Sequence, residues 1–328
     1  METTPVALFI FNRPETTART FAAISAARPS KLLLVADGPR PSVSTDELNC
    51  QAARAIVEHV NWPCVVERHF SDVNLGLRSR MSSGLDWVFQ RVDRAIILED
   101  DCIPHPSFFN YCGELLQKYH DDTRIISISG DNYQEGNWRG DGTYYFSKYP
   151  TCWGWASWRR AWNMFDLSMS KWPQFRDSGA LKSACSDPVE YQYWHSCFER
   201  TFAGENNSWA YAWVFAAFAN YCLSPHPNQN LISNIGFGSG GTHTTADSPL
   251  ANLPTFDIGK TRHPSYVAPH FDADLFEFDW THGGSELRKR LSHASVSQPT
   301  LAGRARRWLG RAKRRGIAYL QSVAHCGR

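Results

Sequence analysis

The sequence predicts an α/β protein built on a mainly parallel β-sheet, and three observations lead to this class. Short, continuous apolar runs alternate with helical patterns along the first third of the chain. The apolar runs have the pattern of strands that are covered on both faces, as parallel strands are. The chain has 328 residues, of which 42% are hydrophobic, and this is enough to bury a full core.

Four strands and three helices are predicted in this part of the chain. The strands are expected at 6–11 (VALFIF), 31–37 (KLLLVAD), 64–70 (CVVERHF) and 94–100 (RAIILED). The helices are expected at 15–27 after Pro14, at 45–59 with Thr45 as N-cap, and at 78–89. The order βαβαβαβ indicates a parallel sheet with helices on its faces.

Polar, turn-forming residues follow every predicted strand. Ligands of open α/β sheets bind beyond the carboxyl ends of the strands, so this edge is the predicted site. The four strands end at Asn12-Arg13-Pro14, at Asp37-Gly38-Pro39, near 72–76, and at Glu99-Asp100-Asp101. Asp37-Gly38 and Asn74-Leu75-Gly76 are equally compatible with turns that have no further function. Arg78 on a helix is equally compatible with a solvated charge.

The segment AIILEDDCIP (95–104) ends an apolar strand in three consecutive acids. Like charges raise one another's pKa, so a positive charge is expected beside them. Carboxylate oxygens suit Mg²⁺ or Mn²⁺, which one or two carboxylates hold while water and substrate phosphates complete the coordination. Such a metal neutralises a diphosphate as it leaves. The alternative interpretation is a solvated acidic turn or N-cap cluster.

Cysteine usage and hydropathy predict a cytoplasmic protein. The chain has nine cysteines with no C-x-x-C pair, which favours reduced thiols over a disulfide framework or a zinc ribbon. The N-terminus has no basic segment, and its apolar run at 6–11 is too short for a signal peptide. No apolar stretch is long enough to span a membrane.

Positive charge is concentrated in the last part of the chain. Eleven Lys/Arg against Glu286 give residues 285–328 a charge of +10, and because the whole chain carries +2, the preceding residues carry 2 − 10 = −8. From Leu301 onward, apolar residues recur at helical spacing among the cations. This predicts a basic amphipathic helix on an anionic membrane, at the inner face of the cell membrane. The alternative is a disordered basic tail, and binding of nucleic acid by the whole protein is not expected.

Six segments together resemble the sequence blocks of a known family. They are FIFNRPETT, VADGPR, NLGLRSRMSSGLDWVF, AIILEDDCIPHPSFFNYC, CWGWASWRRAWNMFD and NLISNIGFGSGGTHT. In this order they look like blocks of bacterial GT-A glycosyltransferases, which are related to glycosyltransferase family 2 and, more distantly, to the N-acetylglucosaminyltransferase I type. The likeness covers about residues 5 to 250, and LEDDCIP and LISNIGFG are its most specific parts.

The resemblance implies a GT-A fold, which is a Rossmann-like domain with a mixed, mainly parallel sheet flanked by helices. This domain is expected over 1–284, with a nucleotide-binding half at 1–130 and an acceptor half at 131–284, followed by the basic tail 285–328. It implies Asp101 as the direct ligand of Mn²⁺ or Mg²⁺ and His243 close to the metal or diphosphate, although His243 is equally compatible with a plain loop residue. It also implies contacts to a nucleotide-diphosphate sugar from Asn12, Arg13, Asp37, Asn74, Gly76, Arg78, Glu99 and Asp100.

The acceptor half is rich in aromatic residues, which stack on sugar rings but more often form core. Trp153 and Trp155 are the two predicted to line the site. Inverting transfer needs a carboxylate that takes the proton of the acceptor hydroxyl. Relatives often have an aspartate in the block where this chain has Ala210, so Glu205 is the predicted base, with Glu190 and Glu199 as weaker candidates.

The predicted function is transfer of a sugar from a nucleotide-diphosphate donor to a hydroxyl of a glycan or lipid-linked acceptor, with inversion. Two alternatives stay open. Ala210 favours a nucleotide-sugar-binding protein that has lost transferase activity. A metal-dependent hydrolase of nucleotide sugars is the other, and turnover with and without an acceptor separates the three.

Overall fold

The computed structural model describes residues 3–185, 187–237 and 248–297. The first part of the chain alternates strands and helices, as the sequence predicts. Its elements are β1 (Val6–Ile10), α1 (Pro14–Ala27), β2 (Lys31–Ala36), α2 (Asp46–Val57), β3 (Val65–Phe70), α3 (Gly76–Arg91) and β4 (Arg94–Glu99).

The second part has shorter strands and more helices. Its elements are β5 (Cys102–Pro104), α4 (Pro106–Lys118), β6 (Ser127–Ser129), β7 (Tyr144–Ser147), β8 (Trp155–Trp158), α5 (Arg159–Trp162), α6 (Trp172–Asp177), α7 (Ala180–Ala184), α8 (Pro188–Phe202), α9 (Ala210–Ala219), β9 (Ser224–Pro227), β10 (Ile232–Asn234), α10 (Phe271–His282) and α11 (Gly284–Ser297). The chain divides after His282, so α11 belongs to a second unit.

The central sheet has six strands in the order β3-β2-β1-β4-β8-β6. β1 lies between β2 and β4 and is parallel to both, with Phe9 opposite Val35 and Glu99. β8 is antiparallel to β4 and to β6, which makes the sheet mixed. This confirms the predicted fold class, a mainly parallel sheet flanked by helices.

Two antiparallel ribbons accompany this sheet. β7 pairs with β9, and β5 pairs with β10 so that Cys102 lies opposite Asn234. This second ribbon joins LEDDCIP to LISNIGFG, the two segments that are most specific in the resemblance. Residues far apart in the chain therefore meet directly after the acid triplet.

The core lies on both faces of β1, β2 and β4, whereas β3 at the edge of the sheet has no buried residue. Every residue of β1 is at most 5% exposed, and Leu32, Leu33, Ile96 and Ile97 are at most 1% exposed. Full burial of such a side chain contributes about 1.5–3 kcal/mol to folding, so the apolar runs hold the strand ends in place.

The remaining fold predictions have different outcomes. All predicted strands and helices of the first part form, and Thr45 is the residue before α2, but its side chain makes no capping hydrogen bond. The eight cysteines among the described residues are free. Within these residues, every helix is too short or too polar to cross a bilayer. The predicted basic helix from Leu301 onward lies outside the described residues.

Candidate functional site

The carboxyl ends of β1, β2 and β4 are neighbours at one edge of the sheet. Since β1 is the middle strand of the three, Asn12 and Arg13 lie between Asp37 on one side and the acid triplet on the other. Arg13 precedes α1, which begins at Pro14, and the Arg13 side chain takes no part in capping the helix. Its guanidinium is therefore available to the acids.

Arg13 is the positive charge that the acid triplet requires. Its Nη2 donates a short hydrogen bond to Oδ1 of Asp100, and its Nη1 lies 2.9 Å from Oδ2 of Asp101. Asp100 is only 2% exposed and also accepts a hydrogen bond from the backbone N–H of Phe11, at 3.2 Å. Asp100 is thus buried within the protein, while Glu99 and Asp101 line a cleft.

One guanidinium does not neutralise three carboxyl groups. Burial, followed by the charges of Asp101 and Asp100, raises the pKa of Glu99. Burial also raises the pKa of Asp100, although Arg13 opposes this. The pKa of Arg13 is raised by Asp100 and Asp101 in spite of its burial. A cation bound beside these carboxyl groups would favour their ionised forms and lower the raised pKa values.

Asp37 holds the turn before α3. Its Oδ1 accepts hydrogen bonds from the backbone N–H groups of Gly38 and Leu75, both at 2.9 Å. Its Oδ2 accepts from the backbone of Gly76 at 3.0 Å and from Nδ2 of Asn74 at 3.1 Å. Both oxygens of this buried carboxylate are engaged within the protein, and Gly76 adopts a positive φ of 76° in the same turn. The contact of Asp37 with a base or ribose stays a prediction.

Two other predicted nucleotide contacts also have partners within the protein. Nδ2 of Asn12 donates to Oδ1 of Asp46 at 2.7 Å. Arg40 binds the same carboxylate, with its Nε 2.6 Å from Oδ2, and its hydrogen bond lowers the pKa of Asp46 to about 2. Nη2 of Arg78 donates to the carbonyl of Leu167 at 3.0 Å. None of Asn12, Asp37, Asn74, Gly76 and Arg78 lines the cleft.

The cleft next to the acids has a volume of about 710 Å³. Its acidic wall consists of Arg13, Glu99 and Asp101. Its aromatic wall consists of Tyr149, Tyr193, Trp194, Tyr211 and His282. Trp153 also lines the cleft, and its ring contacts those of Tyr133 and Phe237 edge-on, with centroids 6.2 and 5.5 Å away; its contact with an acceptor stays a prediction.

The structure corrects the prediction for Trp155. This residue is 0% exposed, and its ring packs against those of Trp209 and Trp213 at 5.9 and 5.5 Å. Trp155 lies within β8, opposite Ile97 of β4, so its side chain belongs to the core. Trp153 precedes the strand and is not held in this way.

The structure also places Glu205 outside the cleft. After α8 the chain turns at Gly204, with a φ of 78°, and the N–H of Glu205 donates back to the carbonyl of Arg200 at 2.9 Å. The carboxylate is exposed and lies 3.3 Å from Nε of Arg200. The following residues, Asn206 to Tyr211, line the cleft and include Ala210. Glu205 is therefore one residue short of the site.

The weaker candidates for the base are also bound elsewhere. Glu190 is buried, accepts a hydrogen bond from the hydroxyl of Tyr149 and lies 2.6 Å from Nζ of Lys148. Glu199 pairs with Arg176 at 2.8 Å. Neither lines the cleft. His243 lies outside the described residues.

The chain after β10 packs directly on the acid triplet. The N–H of Ile235 donates to the carbonyl of Asp101 at 2.8 Å. A Cβ atom on Gly236 would be 2.0 Å from Oδ2 of Asp101, so only glycine fits. Asn234 lines the cleft as well. The similarity of LISNIGFG to the family marked this segment, but no local pattern indicated that it lies against Asp101.

Glu277 on α10 lines the cleft and is not among the residues that the sequence predicts for the site. It lies in DLFEFDW, beyond the part of the chain that the resemblance covers. Adjacent residues of a helix do not share a face, so the position of this acid between Phe276 and Phe278 did not indicate that it is buried.

The acidic wall has a donor set that suits a divalent cation. Among the residues that the structure describes, no group of three or more His, Cys, Asp or Glu could hold a metal by itself. Mg²⁺ and Mn²⁺ do not need such a cage, because one or two carboxylates and substrate phosphates suffice. Glu99 and Asp101 supply two carboxyl groups that face the cleft, so the residues present fit such an ion.

The fold and the cleft define an α/β protein with a cleft, lined by acidic and aromatic residues, at the carboxyl ends of its parallel strands. No family model and no curated protein matches the chain. Two UDP-glucose pyrophosphorylase structures are similar to it. The complex with UDP-glucose has 15% sequence identity and a TM-score of 0.30, and the match covers 49% of this chain and 78% of that chain. The apo form has 13% identity and a TM-score of 0.34, and the match covers 68% of this chain and 89% of that chain. The apo form of mouse xyloside xylosyltransferase 1 is also similar, with 12% identity and a TM-score of 0.30, and the match covers 65% of this chain and 81% of that chain. TM-scores this low show nothing about function.

Proposed function

We propose that this chain is a glycosyltransferase that uses Mn²⁺ or Mg²⁺ and moves a sugar from a nucleotide-diphosphate donor to a hydroxyl of a glycan or lipid-linked acceptor. The observation that supports it is the convergence of Arg13, Glu99 and Asp101 on one wall of a cleft whose other wall is aromatic. An acidic wall suits a metal–diphosphate group, and an aromatic wall suits a sugar ring.

Each residue of the acidic wall has a distinct task in this proposal. Asp101 and Glu99 would hold the metal ion, which neutralises charge on the departing diphosphate. Arg13 orients Asp101 and compensates the buried charge of Asp100. Gly236 allows the chain after β10 to close against Asp101. Inversion at the anomeric carbon, and attachment of residues 301–328 to an anionic membrane, stay predictions.

A second candidate is a protein that binds a nucleotide sugar without transferring it. The observation that favours it is the small Ala210 in the cleft wall, together with the position of Glu205 outside the cleft. The two candidates share the donor site and differ only in turnover.

Calorimetric titration of nucleoside diphosphates, with and without Mn²⁺, tests the donor site. We expect the wild type to bind one nucleotide in a Mn²⁺-dependent manner and Asp101→Asn to bind it at least tenfold more weakly, which is about 1.4 kcal/mol. Asp121→Asn, at a residue whose side chain is 96% exposed, should bind like the wild type. Absence of binding by any nucleotide would contradict the proposal, and release of sugar only when an acceptor is added would distinguish transfer from hydrolysis.

A further inference from the structure

Helix α10 brings polar groups to the aromatic wall. Glu277 and Thr281 are four residues apart and therefore lie on the same face of the helix, and both line the cleft together with His282. Nδ1 of His282 lies 3.2 Å from the hydroxyl of Tyr193. The rings of Tyr193 and Trp194 each lie 5.1 Å from that of His282.

The Glu277 carboxyl faces a histidine whose tautomer is set by the backbone. Nε2 of His226 lies 2.7 Å from the carbonyl oxygen of Tyr149. A carbonyl only accepts hydrogen bonds, so Nε2 carries the proton and Nδ1 of the neutral ring has a free lone pair. Nδ1 lies 3.5 Å from Oε2 of Glu277, and within the described residues neither atom has a hydrogen-bond partner.

This arrangement favours a neutral Glu277. A carboxylate oxygen and a lone pair on Nδ1 would repel each other, whereas a protonated Oε2 can donate to it. Burial, followed by the charges of Asp274 and Asp131, raises the pKa of Glu277 well above its ordinary value. Burial also lowers the pKa of His226 to about 4. With its proton turned to His226, Glu277 has Oε1 left as an uncharged acceptor.

We infer that the aromatic wall, with Glu277 at its base, is the subsite for a neutral sugar ring, and that Oε1 of Glu277 accepts a hydrogen bond from a ring hydroxyl. Apolar and aromatic walls with a few placed polar groups are typical of such ligand sites. The absence of a net charge at Glu277 favours a neutral ring over an anionic or cationic ligand. That this ring belongs to the acceptor rests on the proposed function.

Saturation-transfer NMR with three methyl glycosides tests the subsite. The probes are methyl β-glucopyranoside, methyl β-galactopyranoside and methyl N-acetyl-β-glucosaminide. We expect at least one to bind the wild type, and Glu277→Met, which keeps the volume but has no acceptor oxygen, to bind it about tenfold more weakly. Glu277→Gln should stay within about threefold, because its amide N–H faces His226 and its oxygen still accepts.

Asp272→Asn is the matched control, because it alters an exposed acid on the same helix that does not line the cleft. It should bind the glycoside like the wild type. Tyr193→Leu, at a half-buried residue of the aromatic wall, is a second variant in case Glu277→Met does not fold, and it should weaken binding about fivefold. Binding of no glycoside to the wild type, or unchanged binding to both variants, would overturn the inference.

Nucleotide titration of the same samples separates this inference from the proposed function. Glu277→Met should bind nucleoside diphosphate and Mn²⁺ as the wild type does, since Glu277 is not part of the acidic wall. Glycoside binding without any nucleotide binding would leave the subsite intact and remove the glycosyltransferase proposal. Nucleotide binding without glycoside binding would overturn the subsite inference and leave the donor site of the glycosyltransferase proposal intact.

Discussion

Replacement of Asp274 by asparagine should make the protein more stable at neutral and alkaline pH. Asp274 is 2% exposed on α10, and its Oδ1 accepts a hydrogen bond of 2.6 Å from the hydroxyl of Ser147. Its Oδ2 has no hydrogen-bond partner among the described residues. Burial raises its pKa to about 7 in spite of Ser147 and Lys148, and the charge of Glu190 adds to the rise.

The magnitude follows from the difference between the folded and unfolded pKa. The ordinary value is 3.8 and the folded value is about 7, and each pH unit between them corresponds to about 1.36 kcal/mol, or up to about 4 kcal/mol in total. Between these pH values the unfolded chain has lost the proton while the folded chain keeps it, so the free energy of unfolding falls as pH rises. The amide introduced by Asp274→Asn keeps an acceptor for Ser147 and cannot ionise, so the variant lacks this fall.

Urea denaturation followed by tryptophan fluorescence, at pH 4, 5, 6, 7 and 8, measures the effect. The variant and the wild type should have similar free energies of unfolding at pH 4. The stability of the variant relative to the wild type should then increase steadily up to pH 7, and the variant should remain more stable at pH 8. Asp272→Asn, at an exposed residue of the same helix, should show no such trend. A difference in the free energy of unfolding between wild type and Asp274→Asn that does not change with pH would refute the reasoning.

Two further predictions concern the cleft and the core. Gly236→Ala places a Cβ 2.0 Å from Oδ2 of Asp101 and should weaken Mn²⁺-dependent nucleotide binding at least tenfold in calorimetry. Gly113→Ala, within helix α4, should leave binding unchanged, and equal binding by both variants would count against the packing of Gly236 on the acid. Trp155→Ala should lower the free energy of unfolding, measured by urea denaturation, by about 3–5 kcal/mol. Trp153→Ala should lower the free energy of unfolding far less. Equal decreases for the two variants would contradict the placement of Trp155 in the core.

Much of the fold could be predicted because its signals are local. A strand that is buried on both faces is a short apolar run, and Pro14 starts α1 in the way proline commonly starts helices. The acid triplet and its need for a positive charge were also visible in the sequence. The sequence could not identify Arg13 as that charge, since the contact depends on the parallel pairing of β1 with β4.

The errors arose where a long-range contact or a turn decides the direction of a side chain. Trp153 and Trp155 look alike in the sequence, but pairing of β8 with β4 turns Trp155 into the core. Glu205 is the carboxylate nearest to Ala210 along the chain, but the turn at Gly204 directs it back to Arg200.

The sequence by itself determined the class of fold and the edge of the sheet where the site lies, because apolar periodicity and strand ends are properties of neighbouring residues. Tertiary structure alone decided the composition of the site. Asp37 closes a turn through four hydrogen bonds, and Glu277 reaches the cleft from a helix near the end of the first unit. Residues so distant in the chain meet only because folding buries their apolar neighbours together. A contact of this kind has no signature in the sequence around either residue.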